Sequence, residues 1–212
     1  VLDNKKALGI TYNSFADLYY IMARYDDALD FEKKQLEICL EIGDTHRLGR
    51  VYDKIGVIHY TIGNYEKAYE FQNKSLLARQ KLNHHNGLLE NYYRMSSIQY
   101  ALENFDSAYN YILKSEEIQK IDGTLKYWKL HTIVMKNLIL KKQGKSIDND
   151  ELGLLYEKGN RYPYMSLSGE LEYSLFQLIN NSNYLKLAYD ELIKSSQYLE
   201  KPEKEVFFDC PN

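Results

Sequence analysis

An internal repeat limits what this chain can fold into. Tyr25, Tyr65 and Phe105 lie forty residues apart, in the segments ARYDDALDF, GNYEKAYEF and ENFDSAYNY. Ala28, Ala68 and Ala108 keep that interval, as do Phe31, Phe71 and Tyr111. Upstream, Tyr12, Tyr52 and Tyr92 repeat, followed by Phe15, Ile55 and Met95, then by the small residues Ala16, Gly56 and Ser96. Tyr20, Tyr60 and Tyr100 form a further column. A period of this length is the mark of a stacked-repeat architecture.

Each unit reads as two helices. In the first, Tyr12, Phe15, Ala16 and Tyr19 fall at i, i+3, i+4 and i+7 and make one apolar stripe over about residues 8–22. The chain turns near Ala23-Arg24-Tyr25, and Asp26 and Asp27 occupy the first turn of the next helix, where the dipole favours acids. That helix carries Ala28, Phe31, Leu36 and Ile38 and ends near Gly43, a C-cap, after which Asp44 and Thr45 start the next unit. Gly63-Asn64 and Glu103-Asn104 mark the corresponding turns, and Asn83 and Gly123 the ends. Period-two alternation is missing, so strands have little support. Small residues on both helices let an antiparallel pair approach closely, while the aromatic residues wedge the gaps on either side. One hairpin cannot bury both of its faces but a stack of hairpins can, so the pattern predicts an all-α solenoid.

The expected repeats run over about 7–45, 47–85 and 87–123, with degenerate units at 124–160 and 165–200 and a tail at 201–212. The fourth hairpin is expected to have helices at about 125–142 and 148–159 with Gly144 at the turn; the fifth, at 166–180 and 183–199 around Asn181-Ser182-Asn183. Tyr162-Pro163-Tyr164 separates the two.

The units resemble tetratricopeptide (TPR) repeats, over roughly residues 7–122. They are similar to the longer forty-residue variety of the LGN and kinesin-light-chain type and of bacterial peptide-responsive regulators. The second unit carries the likeness best: Tyr52, Ile55, Gly56, His59, Gly63, Tyr65 and Ala68 fall at the family's aromatic, large-small, turn and close-contact positions. The resemblance implies a right-handed superhelix of antiparallel helix pairs whose concave groove, lined by the first helix of each pair, binds protein or peptide. Carried onto this chain, the groove residues are Asn13, Asp17, Arg50, Lys54, Tyr60, Glu90, Tyr93, Arg94 and Tyr100, with Asp53 and Ser97 on the same exposed face. Lys54 and Arg94 share a repeat position and suit carboxylates or backbone carbonyls, and Tyr60 and Tyr100 offer amphipathic contact. Lys54 and Arg94 stand where chaperone-binding members place a clamp asparagine, which argues against capture of an acidic C-terminal tail. The alternative for these charges is a solvated helix face with ordinary salt bridges.

Composition narrows the remaining classes. The 212 residues carry a net charge of −3, which disfavours broad binding to nucleic acid or an anionic membrane. Isolated pairs such as Lys5-Lys6, Lys33-Lys34 and Lys141-Lys142 read as wet helix faces. Cys39 and Cys210 are too few for a disulfide framework and suit a reducing, cytoplasmic compartment. No apolar run is long enough to span a membrane, and VLDNKKALG lacks a signal-peptide core. Without an initiator Met, the chain is expected to be processed or cut from a longer parent bearing an output domain.

Catalytic chemistry finds no support. GxxxxGK[ST], GxGxxG after a strand, HExxH and GxSxG are all missing. His59 sits in a packing column; His84-His85 lies at a connection without Cys or acidic residues to complete a metal site; His46 adds nothing. Cys39 reads as a small buried hydrophobe, and a Cys39–His59 pair lacks an orienting third group. No cofactor or metal is expected. The readings that remain are a peptide-binding scaffold, the regulatory repeat domain of a larger signalling or transcriptional protein, and a module that self-associates through its C-terminal hairpin.

Overall fold

The computed structural model describes residues 2–121, 128–147 and 170–180, together with 182–184, 186–187 and 190. Eight helices are delimited there: α1 Leu2–Ile21, α2 Tyr25–Ile42, α3 Thr45–Thr61, α4 Tyr65–Gln80, α5 His85–Ala101, α6 Phe105–Ile121, α7 Trp128–Lys142 and α8 Glu170–Ile179. No strand occurs among the described residues. The expected helix at 148–159, the Tyr162-Pro163-Tyr164 break and the tail lie outside them, as does Gly123. α7 falls inside the expected 125–142, and α8 inside 166–180; Asn180, one residue before the expected turn, takes the left-handed conformation at φ 56°.

The turns follow the forty-residue period in their backbone as well as in their sequence. Ala23, Gly63 and Glu103 all have positive φ (57°, 77° and 60°), and Gly43 and Asn83 repeat this at the other end of the hairpin (68° and 49°). Only glycine adopts this conformation without a steric penalty, so Ala23 and Glu103 are held there by the packing on either side. Side chains then begin the following helices: Asp44 accepts a hydrogen bond from the Arg47 N–H at 3.0 Å, and Asn64 one from the Lys67 N–H at 3.4 Å.

By contacts the described residues form two compact units, divided between Asn91 and Tyr92. In the first, α1 packs on α2, α3 on α4, and α2 on α3. Its core is Ala28, Leu29, Cys39, Val51, Ile55 and Ile58, with Tyr19, Tyr20, Tyr25, Leu36, Leu48 and Phe71 against it. The small columns lie where the helices touch. Ala28 and Ala68 are fully buried, and a Cβ added at Gly56 would stand 3.3 Å from the Ala68 carbonyl oxygen and 2.8 Å from the Gln72 amide nitrogen. Aromatic rings flank this contact. Phe31 packs against Tyr12, Phe15 and Tyr19 at centroid distances of 5.9, 5.1 and 5.4 Å, and forty residues on Phe71 meets Tyr52 and His59 at 6.3 and 5.6 Å.

The second unit repeats the contact. Ser96 on α5 donates its hydroxyl to the Ala108 carbonyl of α6 at 2.8 Å, and Tyr92 stacks on Tyr111 at 6.5 Å. Ala108, Ile112, Met135 and Ile139 join α6 to α7, and Val134, Leu138, Leu175 and Leu178 join α7 to α8.

Two substitutions test this account. Ala68→Leu inserts a branched side chain into a contact with no free volume and is expected to cost about 2 kcal/mol or more in urea unfolding. Ala23→Gly relieves a left-handed alanine and is expected to raise stability by about 0.5 kcal/mol, the conformational relief outweighing the added freedom of the unfolded chain.

Candidate functional site

The polar groups expected on the ligand face collect, in the first unit, between α1, α2 and α3. Asn13 and Asp17 are one turn apart on α1, so they share a stripe, and the Asn13 amide donates to the Asp17 carboxylate at 3.0 Å. Lys54 reaches across from α3, donating to the Asn13 side-chain oxygen at 2.9 Å and pairing with Asp17. Beneath them lies Glu32 of α2, 1% exposed, with one carboxyl oxygen 3.9 Å from the Lys54 ammonium and the other without a hydrogen-bond partner.

Burial pushes the Glu32 carboxyl up to about 8; Lys54 pulls it down, while Asp17 and Asp53 raise it further. At neutral pH Glu32 is therefore a protonated acid, and the charge of Lys54 is balanced by Asp17. Beside this cluster is a cleft of about 150 Å³ lined by Ile10, Asn13, Gln35, Arg47 and Arg50. Gln35 is buried and its carbonyl oxygen has no hydrogen-bond partner. Arg47 is tied to Asp44 at 3.4 Å and to the Lys6 carbonyl, whereas Arg50 is exposed and makes no ion pair or hydrogen bond among the described residues.

The structure corrects two positions on the expected ligand face. Asp53 and Ser97 are buried, 5% and 6% exposed. Asp53 belongs to a polar network inside the first unit, where it and its own carbonyl accept from the Gln72 amide at 2.9 and 3.1 Å. Asn91 donates to the Gln72 side-chain oxygen at 2.6 Å and accepts from Arg79 at 3.0 Å. The Arg79 guanidinium also donates to the Gly87 carbonyl at 2.7 Å and lies 3.4 Å from both Asp53 and Glu90. A side chain at Gly87 would meet Arg79 at 2.6 Å, so the glycine leaves the slot that the guanidinium fills. Glu90 thus sits at the margin of this network.

Tyr60 is half-buried and packs on Tyr65 at 5.5 Å, as Tyr20 packs on Tyr25 at 5.7 Å. In the second unit Tyr100 packs on Phe105 at 5.7 Å and Tyr93 on Trp128 at 5.5 Å, and Arg94 is half-buried. Burial raises the Tyr100 phenol.

His59, His46, His84 and the buried cysteine have packing roles. His59 stacks on Phe71, and burial lowers its pKa, disfavouring the charged form. His84 meets the ring of His46 at 5.6 Å. Cys39 is a buried free thiol raised to about 11, mainly by desolvation, and so is a poor nucleophile. Among the described residues no three His, Cys, Asp or Glu side chains come together as a metal site, and no helix is long and apolar enough to cross a membrane.

Glu32, Gln35, Gln72, Arg79 and Asn91 were not singled out from the sequence. Their columns mix polar and apolar residues, which hid them: Glu32 and Gln72 align with Ile112, Arg79 with Cys39 and Gln119, and Asn91 with Thr11 and Val51, while Gln35 aligns with Ser75 and Ser115.

The sequence profile of the tetratricopeptide repeat matches residues 7–76. The crystal structure of the apo form of RapI aligns over 90% of this chain and 70% of its own, with a TM-score of 0.68 and 14% identity. The fold is a TPR-like helix-pair repeat. Two further solved structures align less well: MamA protein, with a TM-score of 0.47 and 16% identity over 97% of each chain, and YrrB. YrrB, described as a TPR protein with an unusual peptide-binding site, aligns with a TM-score of 0.46 and 18% identity over 94% of this chain and 90% of its own. No curated protein matches the chain in sequence. The TPR-like arrangement explains why its columns hold packing residues: they define where the helices touch and leave the exposed stripes free to vary.

A pH profile tests the buried acid. Because the folded Glu32 pKa of about 8 lies above the ordinary 4.5, the folded state holds the extra proton between those values. Stability should then fall as pH rises from 4.5 to 8 and level off above. Glu32→Gln is expected to flatten this slope and to be more stable than wild type at high pH by on the order of 2 kcal/mol. An unchanged slope in urea melts would show that the carboxyl is ionised in the folded protein.

Proposed function

We propose that this chain is a non-catalytic protein- or peptide-binding module that captures an extended segment along its first-helix faces, in the concave groove of a TPR-like superhelix. The observation that carries the reading is the Asn13–Asp17–Lys54 cluster beside the cleft of Gln35 and Arg50. These groups are exchangeable. Lys54 is held by side chains that a ligand carboxylate or carbonyl can replace, Arg50 carries a charge without a hydrogen-bond partner among the described residues, and Gln35 keeps an unused acceptor. Ile10 supplies an apolar wall to the same cleft. Polar groups of this kind set the register of a bound chain, while affinity comes from a few aromatic and aliphatic contacts.

Within this proposal Asn13, Asp17, Arg50 and Lys54 make the first polar subsite. Tyr60 and Glu90 in the first unit, and Tyr93, Arg94 and Tyr100 in the second, are the further groove residues that the repeat resemblance proposes. The forty-residue period supports the proposed kinship with the LGN, kinesin-light-chain and peptide-regulator type of repeat. Function as the sensing part of a longer signalling protein and a cytoplasmic setting are compatible extensions of the same reading.

A displayed random-peptide library selected on the purified chain tests it. Selected peptides are expected to lose at least about tenfold in affinity on Arg50→Ala/Lys54→Ala, equivalent to one charge-assisted contact. Peptides that bind both this double variant and Tyr60→Ala/Tyr100→Ala as tightly as wild type would place recognition elsewhere.

A further inference from the structure

The next repeat shows what the cleft beside Asn13 is shaped to hold. Forty residues on, the same place lies between α3, α4 and α5, and Arg79 of α4 fills it from within. Its guanidinium lies 3.4 Å from both the Asp53 and the Glu90 carboxylates and donates to the Gly87 carbonyl at 2.7 Å. A side chain at Gly87 would collide with it, so that slot is full. In the first repeat the Arg79 position is Cys39, a side chain too short to reach across. The slot stays open there, and the cleft of about 150 Å³ between α1, α2 and α3 is the space left.

The walls have changed sign along with the lost occupant. Asp53 corresponds to Asn13, Glu90 to Arg50 and Gly87 to Arg47, so acids and a glycine give way to an amide and arginines. Of the neighbouring acids, Asp44 is engaged by Arg47 at 3.4 Å, Asp17 by Lys54, and Glu32 lies 3.9 Å from the Lys54 ammonium. Arg50 makes no ion pair or hydrogen bond among the described residues. Gln35, 5% exposed, lines the slot with an unpartnered carbonyl oxygen.

We propose that this slot takes a carboxylate of the bound ligand, set against Arg50 where the Arg79 guanidinium sits in the next repeat. A carboxylate is planar and hydrogen-bonding, as the guanidinium is, and carries the opposite charge that the reversed walls require. An N–H a few bonds from that carboxylate satisfies the Gln35 oxygen, whose burial without a donor is costly. Ile10 covers the carbons between the two groups. An aspartyl residue and the last residue of a chain both present this pair. The slot is centred on Arg50 and Gln35, a different position from the clamp column that Lys54 and Arg94 occupy. The inference deepens the peptide-binding reading and rests on it for taking the ligand to be a peptide.

The test is nuclear magnetic resonance of the isotope-labelled full chain, read at the Gln35 side-chain amide. Two compounds are titrated at neutral pH: N-acetylaspartate α-amide for a side-chain carboxylate and N-acetylalanine for a chain end. At least one is expected to shift the amide saturably, with a Kd on the order of 10 mM, and the tighter one names the source. N-acetylalanine amide, which lacks the carboxylate, is expected to leave it unmoved. Arg50→Ala, at an exposed position, is expected to abolish the shift with an unchanged urea melt. Cys39→Met is expected to abolish it by entering the slot as Arg79 enters its counterpart. Failure of both carboxylates to move the Gln35 amide overturns the proposal, as does a shift that survives Arg50→Ala or a folded Cys39→Met. Inorganic phosphate binding more tightly than either compound also overturns it. Library-selected peptides whose affinity is indifferent to replacing every carboxylate by an amide overturn the slot but leave the peptide-binding reading standing. A chain that binds the model carboxylates through Arg50 yet selects no peptide supports the slot and sinks that reading.

Discussion

The close approach of paired helices at one small-residue contact governs the rest of this structure. Ala28, Ala68 and Ala108 have no exposed surface, and each is matched across its hairpin by Ala16, Gly56 or Ser96. Where two backbones meet this closely, the gaps on either side have a definite width. The aromatic columns fill them: Phe31, Phe71 and Tyr111 against Tyr12, Tyr52 and Tyr92. The turn must then reverse the chain within three residues, which is why Ala23 and Glu103 accept a left-handed conformation that only Gly63 adopts freely. Packing decides the backbone here, because an interior at crystal-like density leaves a hairpin no alternative angle.

The first unit adds to this a polar interior. Arg79, Asp53, Gln72, Ser75 and Asn91 are buried together and largely satisfied by one another, with the Ser75 hydroxyl donating to the Gly49 carbonyl at 2.6 Å. Such a network contributes little net stability relative to an apolar core of the same shape, but a shifted alignment leaves its groups unpaired at a cost of several kcal/mol. Its physical effect is to hold α3, α4 and the start of α5 in one register. Glu32 and Gln35 differ, since each retains an unsatisfied oxygen next to the cleft. Two unsatisfied buried oxygens thus lie beside Asn13, Lys54 and Arg50.

Much of the fold was legible because the repeat counts the same contact several times. A column such as Ala28, Ala68, Ala108 has meaning without coordinates, since a small residue recurring at one helical position implies a backbone close by. Asp53 shows where this logic stops. It stands in the exposed stripe by helical phase, yet Gln72 and Arg79 of α4 draw it inward, and their columns mix polar with apolar residues, Glu32 and Ile112 for the one, Cys39 and Gln119 for the other. The tyrosines show a second limit. Tyr60 and Tyr100 lie on the expected face, but each also packs against the first residue of the following helix, so the same ring serves packing and surface. Helical phase alone does not divide those roles.

Periodicity by itself determined the all-α class, the hairpin as the unit, the positions of the turns and the absence of a recognisable catalytic motif, because these depend on local pattern and on spacing along the chain. Tertiary structure decided which polar groups meet. It paired Lys54 with Asn13 and Asp17, placed Glu32 beneath them with its carboxyl raised by burial, and opened the cleft at Gln35 and Arg50. Those outcomes turn on distances of a few ångströms between residues far apart in the chain and on the water excluded between them, and neither quantity is set by helical phase.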